Sequence, residues 1–217
     1  MEVQLIDSMG TELTIVNAAR VSFAKKSEWD SIPEGGQIEG LLTEGDERLI
    51  KFLAKHNHWS PFGHVSLQFH IKAPIFVARQ LVKHQVGLVW NEVSRRYVDD
   101  EPEFYKPKEW RLKSADKKQG SSDETIEYSI ESTIQYVTQT YNNLLGAGVA
   151  PEMARMVLPQ NLYTEWYWSG TLMAFARVCN LRCAKDTQYE TRIIADRIDE
   201  LAREQFPTAW AELRSSD

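Results

Sequence analysis

The segment from Val65 to Ala73 constrains the fold more than any other, because apolar and polar side chains alternate along it without a break. An alternation of period two is typical of a strand with one face in the core and the other toward solvent. Pro74 follows directly and suits the first turn of a helix, and residues 75–85 carry apolar side chains at helical spacing. A strand that runs straight into a helix predicts a sheet with helices packed against it.

The rest of the chain supplies further strands and helices that lie far apart in sequence. Apolar patterning predicts strands at residues 3–7 and 161–169 and helices at residues 13–23, 43–56, 122–145, 151–157, 172–181 and 186–204. Polar or charged segments rich in Pro and Gly predict a loop at residues 27–40 and an exposed excursion with short strands at residues 99–118. Helices around one sheet make α+β or α/β the expected class, in a single domain spanning residues 1–217.

Composition and charge limit the partners. The chain has 217 residues and a formal net charge of −6, whereas a general nucleic-acid surface normally requires a basic excess. No apolar run approaches the roughly 18 residues that span a bilayer, and the N-terminus lacks the basic start and apolar stretch of a signal peptide. We therefore expect a cytoplasmic protein that binds neither nucleic acid nor membrane, with Cys179 and Cys183 as buried, reduced thiols.

Positive charge is nevertheless concentrated locally, which on an acidic chain indicates a small anionic ligand. The clustered arginines are Arg95, Arg96, Arg155, Arg177 and Arg182. If the run from Trp90 to Tyr97 is extended, Glu92, Ser94 and Arg96 project to one side, since side chains alternate along a strand. An acid, a hydroxyl and a guanidinium on one side favour a site for a phosphate and a sugar. A solvated edge strand with a surface ion pair is the alternative.

Other charged residues also have purely structural interpretations. Arg155 could lay its stem on apolar surface, and Arg182 could complement the dipole at a helix C-terminus. The histidines could ligate zinc in a hydrolase, although no recognised ligand spacing is present and we expect no metal. They are His56, His58, His64, His70 and His84. Neither GxGxxG nor GxxxxGK[ST] occurs, so a nucleotide cofactor would be held in another way.

Several blocks in register resemble the flavin-dependent thymidylate synthases. FHIKAPIFVARQLVKHQ at residues 69–85, followed by NEVSRRY, is similar to the family motif of Arg-His-Arg, seven residues and Ser. HNHWSPFGH, ARMVLPQNLYTEWYW and NLRCAKDTQYE also resemble the family in the same order, so that the resemblance extends from about residue 18 through the last helix. It implies a central, mostly antiparallel sheet packed by helices, and a homotetramer.

The chain departs from the family pattern at several positions. Arg-His-Arg is replaced by Lys83-His84-Gln85, and eight residues, not seven, separate Gln85 from Ser94. Farther along, Thr171 and Met173 stand where the family usually has Asn and Arg, and Arg177 replaces a second Asn. These departures concern the expected flavin contacts more than the expected nucleotide contacts.

The resemblance implies reductive methylation of dUMP to dTMP, with FAD as the hydride carrier, NADPH or NADH as its reductant and 5,10-methylenetetrahydrofolate as the carbon donor. No cysteine would act as nucleophile, and Arg182 would be catalytic, against the uracil, where a fixed cation stabilises developing negative charge. The residues implied for dUMP are Gln80, Lys83, Glu92, Val93, Ser94, Arg95, Arg96, Arg155 and Arg182. The residues implied for FAD are Ser60, Lys83, His84, Gln85, Glu92, Thr171, Leu172, Met173 and Arg177. The alternative is a catalytically degenerate protein that binds dUMP but has lost FAD.

Overall fold

The computed structural model describes residues 1–31, 40–98, 100–115 and 120–214. The strands in these residues are β1 (Glu2–Met9), β2 (Ser66–Pro74), β3 (Leu88–Glu92), β4 (Trp110–Arg111), β5 (Thr125–Ile126) and β6 (Tyr163–Thr171). A central antiparallel sheet has the order β1-β2-β6-β3, and β4 pairs with β5 as a separate antiparallel ribbon. The predicted α+β class with a mostly antiparallel sheet is confirmed.

The alternating segment behaves as its pattern predicted. The side chains of Leu67, Phe69 and Ile71 on β2 are at most 1% exposed, whereas those of His70 and Lys72 lie half-buried on the opposite face. All nine residues of β2 pair with β6, which gives the sheet a long, continuous centre. Complete burial of a large apolar side chain contributes roughly 1.5–3 kcal/mol, so this face fixes the register.

Eight helices surround the sheet in the described residues. They are α1 (Glu12–Arg20), α2 (Glu44–Lys55), α3 (Ile75–Leu81), α4 (Glu131–Gly146), α5 (Pro151–Ala154), α6 (Leu172–Arg182), α7 (Tyr189–Gln205) and α8 (Pro207–Arg214). Short 3₁₀ segments occur at Val21–Phe23, Pro61–His64 and Arg155–Val157. Threonine side chains accept a backbone N–H at the starts of α1, α2 and α6, which satisfies donors that a helix N-terminus leaves free. Helices α6, α7 and α8 pack together, and their buried side chains join those of β2 and β6 in one apolar cluster.

Some predicted boundaries were wrong. The helix after Pro74 ends at Leu81 and not at residue 85, so Lys83 and His84 lie beyond it. The long helix predicted from residue 122 begins at Glu131, because Thr125 and Ile126 pair with β4 instead. Helix α8 begins at Pro207 and lies beyond the last helix predicted, which ended at residue 204.

Most of the loop predicted at residues 27–40, including Pro33, Gly35 and Gly36, lies outside the described residues, as do residues 99 and 116–119 of the excursion. None of the helices described is both long and apolar enough to cross a membrane.

Candidate active site

The segment between α3 and β3 lies against α6. Gly87 has a φ of +77°, and a Cβ atom there would lie 3.1 Å from Ala174 Cβ and 3.2 Å from Thr171 Oγ1. Gly170 lies beneath the same segment, since a Cβ atom on it would come within 2.5 Å of Gly87 O. The Thr171 N–H donates to that carbonyl at 3.1 Å. Two glycines therefore allow this segment to approach the start of α6 closely.

At the other end of α6, Arg182 contacts His84. Arg182 Nε donates to His84 Nε2 at 3.0 Å, and both side chains are half-buried. Burial and then the neighbouring guanidinium lower the pKa of His84 below its ordinary value of 6.5. Because a neutral imidazole keeps an acceptor nitrogen, His84 can hold the Arg182 guanidinium in one orientation.

Five other residues of the predicted FAD set lie at or near α6. Thr171 caps its N-terminus, and its Oγ1 accepts from Ala174 N at 3.2 Å. The Leu172 side chain is fully buried and its N–H donates to Val65 O, so Leu172 faces the core, whereas Met173 is half-buried and Arg177 is exposed. Ser60 directly precedes the 3₁₀ segment Pro61–His64, which packs against α6.

Lys83 and Gln85 flank His84 in the same segment, and both side chains are exposed. Helix α6 and the residues laid along it therefore bring together most of the predicted FAD set, with Arg182. We call this group the α6 cluster. Its members are Ser60, Lys83, His84, Gln85, Thr171, Leu172, Met173, Arg177 and Arg182.

Residues 92–96 follow β3 and form a second group, which we call the 92–96 loop. Glu92 fixes its base, since Oε1 accepts from Thr164 Oγ1 at 2.7 Å and Oε2 accepts from Trp90 Nε1 at 3.1 Å. The Val93 N–H donates to Glu165 O at 2.9 Å. Glu92 is the one residue of the predicted FAD set that lies here and not in the α6 cluster.

The run Trp90–Tyr97 is extended only as far as Glu92, so the condition considered in the sequence analysis is not met beyond that residue. The strand ends there and Arg95–Tyr97 form a turn, in which the Tyr97 N–H donates to Ser94 O. Arg96 Nε donates to Ser94 Oγ at 3.1 Å, and the guanidinium lies over the Tyr97 ring. The turn places the Ser94 hydroxyl and the Arg96 guanidinium in direct contact. In an extended strand the two side chains would project to the same side without needing to touch.

Arg155 approaches the 92–96 loop from the other side of a cavity of about 480 Å³, which Glu92, Val93 and Arg95 also line. Arg155 is exposed, and its Nε donates to Glu152 O at 3.2 Å. Arg95 donates to Asp100 O at 2.6 Å. Four members of the predicted dUMP set, Glu92, Val93, Arg95 and Arg155, thus line one concave surface that carries two guanidinium groups.

Gln80 lies apart from that cavity, in a larger cleft of about 980 Å³ between α3, the excursion and the start of α7. Phe76, Tyr105 and Trp110 supply aromatic lining. Sequence reasoning missed the other polar residues that line this cleft and are hydrogen-bonded to one another, which are Tyr105, Arg111, Gln188 and Glu190. Gln188 and Glu190 stand within the NLRCAKDTQYE block, but nothing in their spacing indicates a partner on α3.

A chain of hydrogen bonds crosses the floor of this cleft. Gln80 Nε2 donates to Gln188 Oε1, and Gln188 Nε2 donates to Glu190 Oε2 at 3.4 Å. Glu190 is only 4% exposed and also accepts from Arg111 and, at 3.3 Å, from the Tyr105 hydroxyl. Burial and then the Glu190 carboxylate raise the pKa of Tyr105 to about 12, so its hydroxyl remains a donor. We call Gln80, Gln188 and Glu190 the relay.

Several of the groups that could ligate a metal are engaged in other contacts. His70 Nε2 lies 3.2 Å from Glu165, and His56 and His58 pack around Phe52 on the surface. Cys179, Cys183 and Asp199 place ligand atoms within 4.8 Å of one another, and both thiols are free. Asp199 already accepts from Arg203, Trp210 and Arg214. Because these donors use its oxygens, the carboxylate is poorly suited to a metal ion.

The comparisons with known proteins decide the family. The sequence model of the family described as "Thymidylate synthase complementing protein" matches residues 4–208. A flavin-dependent thymidylate synthase of Thermus thermophilus is 42% identical over 214 residues, which cover 96% of this chain and 74% of the relative. That of Kosmotoga olearia is 37% identical over 216 residues, which cover 96% and 87%. The chain belongs to the flavin-dependent thymidylate synthase family. The resemblance noted in the sequence is confirmed.

A solved structure extends the likeness to three dimensions. The UMP/dUMP methylase PolB from Streptomyces cacaoi, bound with 5-Br dUMP, is 28% identical and has a TM-score of 0.79. The match covers 97% of this chain and 93% of that protein. In the present member of the flavin-dependent thymidylate synthase family, the predicted site residues fall into the α6 cluster, the surroundings of the 92–96 loop and the relay. The structure brings residues together within each group but leaves the groups separate.

Proposed function

We propose that this chain, as a flavin-dependent thymidylate synthase, converts dUMP to dTMP in the cytoplasm. The carbon would come from 5,10-methylenetetrahydrofolate, and bound FAD, reduced by NADPH, would supply the hydride. The observation that carries the proposal is the arrangement of Arg182, whose guanidinium is half-buried and held by a neutral His84 within the α6 cluster. A cation fixed before the reaction is the general means by which enzymes stabilise developing negative charge.

The residues of the α6 cluster fit an anionic dinucleotide such as FAD. Helix α6 is 11 residues long, and its N-terminus presents the positive end of the helix dipole beside Thr171. Lys83 and Arg177 add exposed cations, and Gln85 adds an amide that can donate or accept. Gly87 allows the segment that carries Lys83 and Gln85 to lie against the start of α6, where a side chain would meet Ala174 and Thr171. These residues would bind and orient the cofactor.

The surroundings of the 92–96 loop suit the phosphate of dUMP. Arg96 and Ser94 lie side by side, and Arg95 and Arg155 line the adjacent cavity. Guanidinium groups match phosphate oxygens in geometry and charge. Glu92 holds the base of the loop and offers no free donor, so its role would be to position the loop.

A homotetramer would explain why the groups lie apart on one chain. Active sites built from several subunits could combine the α6 cluster of one copy with the 92–96 loop of another. Apolar side chains are exposed beside both groups, including Val86, Val89 and Val93, each at least 50% exposed. Exposed apolar residues close to a site are typical of surfaces that meet a partner. We therefore propose that the complete site forms only in the tetramer.

The proposed reaction uses no cysteine nucleophile. Cys179 has no exposed surface, and burial raises its pKa well above the ordinary value. A nucleophilic cysteine instead needs a lowered pKa and access to its substrate. This environment supports methylation in which the residues of the α6 cluster, and not a thiol, assist the pyrimidine.

The experiment that tests the proposal is release of tritium from 5-labelled dUMP by the purified protein, supplied with FAD, NADPH and methylenetetrahydrofolate. We expect dUMP-dependent release, a yellow protein and dTMP as product, and NADH in a parallel reaction reports the choice of reductant. A thiol-alkylating reagent should leave activity intact, because no thiol is used. Calorimetric binding of dUMP without binding of FAD would instead identify a catalytically degenerate protein.

A further inference from the structure

The face of β6 that packs into the core carries one hydroxyl among large apolar side chains. Trp166 and Trp168 lie on this face and are at most 1% exposed. Thr164 stands two residues before Trp166 and is 8% exposed, and its Oγ1 donates to Glu92 Oε1 at 2.7 Å. A valine would suit a strand equally well without a polar group that needs a partner. The hydroxyl is therefore not required by the sheet, and its partner is the carboxylate at the base of the 92–96 loop.

A second donor reaches the same carboxylate from β3. Trp90 Nε1 donates to Glu92 Oε2 at 3.1 Å. The Trp90 ring is held in place, because it stacks on Trp166 at a centroid distance of 4.4 Å and meets Trp168 edge-on at 5.5 Å. Among the described residues, neither Trp166 nor Trp168 pairs its indole N–H with an acceptor. Of these three indoles, Trp90 is thus the one whose N–H is directed at the loop.

The two donors together fix the orientation of the Glu92 carboxylate. A single hydrogen bond would let the carboxylate turn about that contact, whereas donors from two strands, one on each oxygen, hold its plane. Glu92 is the last residue of β3 and its side chain is otherwise exposed, and Ser94 and Arg96 follow two and four positions later. Both contacts therefore act at the point where the chain leaves the sheet and the 92–96 loop begins.

We infer that Thr164 and Trp90 are positioning residues for substrate binding, which act through Glu92 to hold the 92–96 loop in the conformation that binds the nucleotide. This inference rests on the proposed function, in which that loop contacts the phosphate of dUMP. Neither residue belongs to the predicted substrate or cofactor sets, and neither needs to touch the ligand. A loop that already has its binding conformation loses less freedom when the ligand binds. The contribution of both residues should therefore appear in the affinity for dUMP and not in the rate of turnover.

The test separates the Thr164 hydroxyl from the space that it fills, in the full-length protein loaded with FAD. Thr164→Val keeps the volume and removes the donor, so we expect the KM and the calorimetric Kd for dUMP to rise about three- to tenfold while kcat changes less than about twofold. Thr164→Ser keeps the hydroxyl and should recover most of the affinity. Trp90→Phe keeps a stacked ring without the N–H, and its longer, neutral donor predicts a smaller rise of about two- to threefold.

Thr140→Val is the matched control, since the Thr140 hydroxyl donates to the Tyr136 carbonyl within α4 and has no contact with the loop. It should keep wild-type constants. Glu92→Leu then shows whether Thr164 acts through the carboxylate, because Thr164→Val should cause no further loss of dUMP affinity once the acceptor is absent. Thermal melts and FAD content establish that each variant is folded.

A purely structural role for the hydroxyl predicts a different pattern. A lower melting temperature in Thr164→Val with a wild-type KM and Kd would overturn the inference, as would a Thr164→Ser that binds dUMP no better than Thr164→Val. Losses that add to those of Glu92→Leu would also overturn it. Absence of turnover in a wild type that still binds dUMP would contradict the proposed function alone, since the calorimetric comparison of the variants is independent of turnover. A wild type that does not bind dUMP would contradict both.

Discussion

The α6 cluster and the 92–96 loop carry the same kinds of side chain but hold them in different ways. Arg182 is half-buried, ends a helix whose opposite face is in the core, and donates to a side chain 98 residues away. Arg96 is exposed and bonds to Ser94, two residues away, within a turn. The first guanidinium is fixed by the fold, whereas the second is fixed only by its neighbours.

This difference predicts different kinetic roles for the two groups. A group that is already oriented loses little freedom on binding and can act on charge that develops during reaction. An exposed arginine on a turn must lose side-chain freedom when it binds, and its charge is screened until a ligand or another copy covers it. We therefore expect changes in the α6 cluster to alter kcat and changes in the 92–96 loop to alter KM.

Removal of the Arg182 guanidinium should have the largest effect. Arg182→Ala should lower kcat by about 10²-fold or more if, as proposed, its fixed charge lies against the reacting ring. The KM for dUMP should change much less, and the fold should persist because α6 keeps its buried face. Steady-state kinetics of tritium release, together with circular dichroism, provide the measurement.

Arg197→Ala is the control for Arg182, because Arg197 forms an exposed ion pair with Glu200 on α7 and such pairs contribute little. Its kinetics and melting temperature should match those of the wild type. If Arg182→Ala kept a wild-type kcat, the α6 cluster would not be the reactive part of the site.

Removal of Arg96 should have a smaller effect of a different kind. Arg96→Ala should raise the KM for dUMP about tenfold with little change in kcat, since a charge-assisted hydrogen bond to phosphate is lost. Arg96→Lys should recover only part of the affinity, because an ammonium cannot form the bidentate contact. Titration calorimetry with dUMP at two salt concentrations measures the loss directly. A lower kcat with an unchanged KM would contradict the prediction that the α6 cluster affects kcat and the 92–96 loop affects KM.

The sequence could predict those helices and strands whose conformation is determined by neighbouring residues. The alternation around Phe69 and the apolar spacing of α6 each follow from neighbouring residues, and α6 ends one residue beyond its predicted end. The start of α4 could not be predicted in this way. Residues 125 and 126 have helix-compatible neighbours, but pairing with Trp110 and Arg111 determines their conformation.

The same distinction applies to the candidate site. Motifs placed Arg182 and the 92–96 loop in the candidate site because the family resemblance is carried by short runs of sequence. They did not predict the contact of Arg182 with His84, nor that of Gln80 with Gln188, since each joins residues about 100 positions apart. Such contacts arise from the packing of α3, α6 and α7, which no run of sequence specifies.

The smallest predicted effect concerns the acceptor that holds Arg182. Below its lowered pKa, His84 becomes protonated, both ring nitrogens become donors, and the contact with Arg182 turns repulsive. Unfolded chains protonate this histidine near 6.5, so between that value and the lower folded value the unfolded state binds more protons. Stability should therefore fall as pH decreases through this window, and kcat should fall about threefold as pH decreases through the lowered folded pKa of His84. His84→Gln keeps an acceptor that does not titrate, and its kcat should lose this acid limb while remaining near the wild-type value at neutral pH. Rate profiles and thermal melts across the window test this, and an acid limb of kcat that persists in His84→Gln would show that another group titrates.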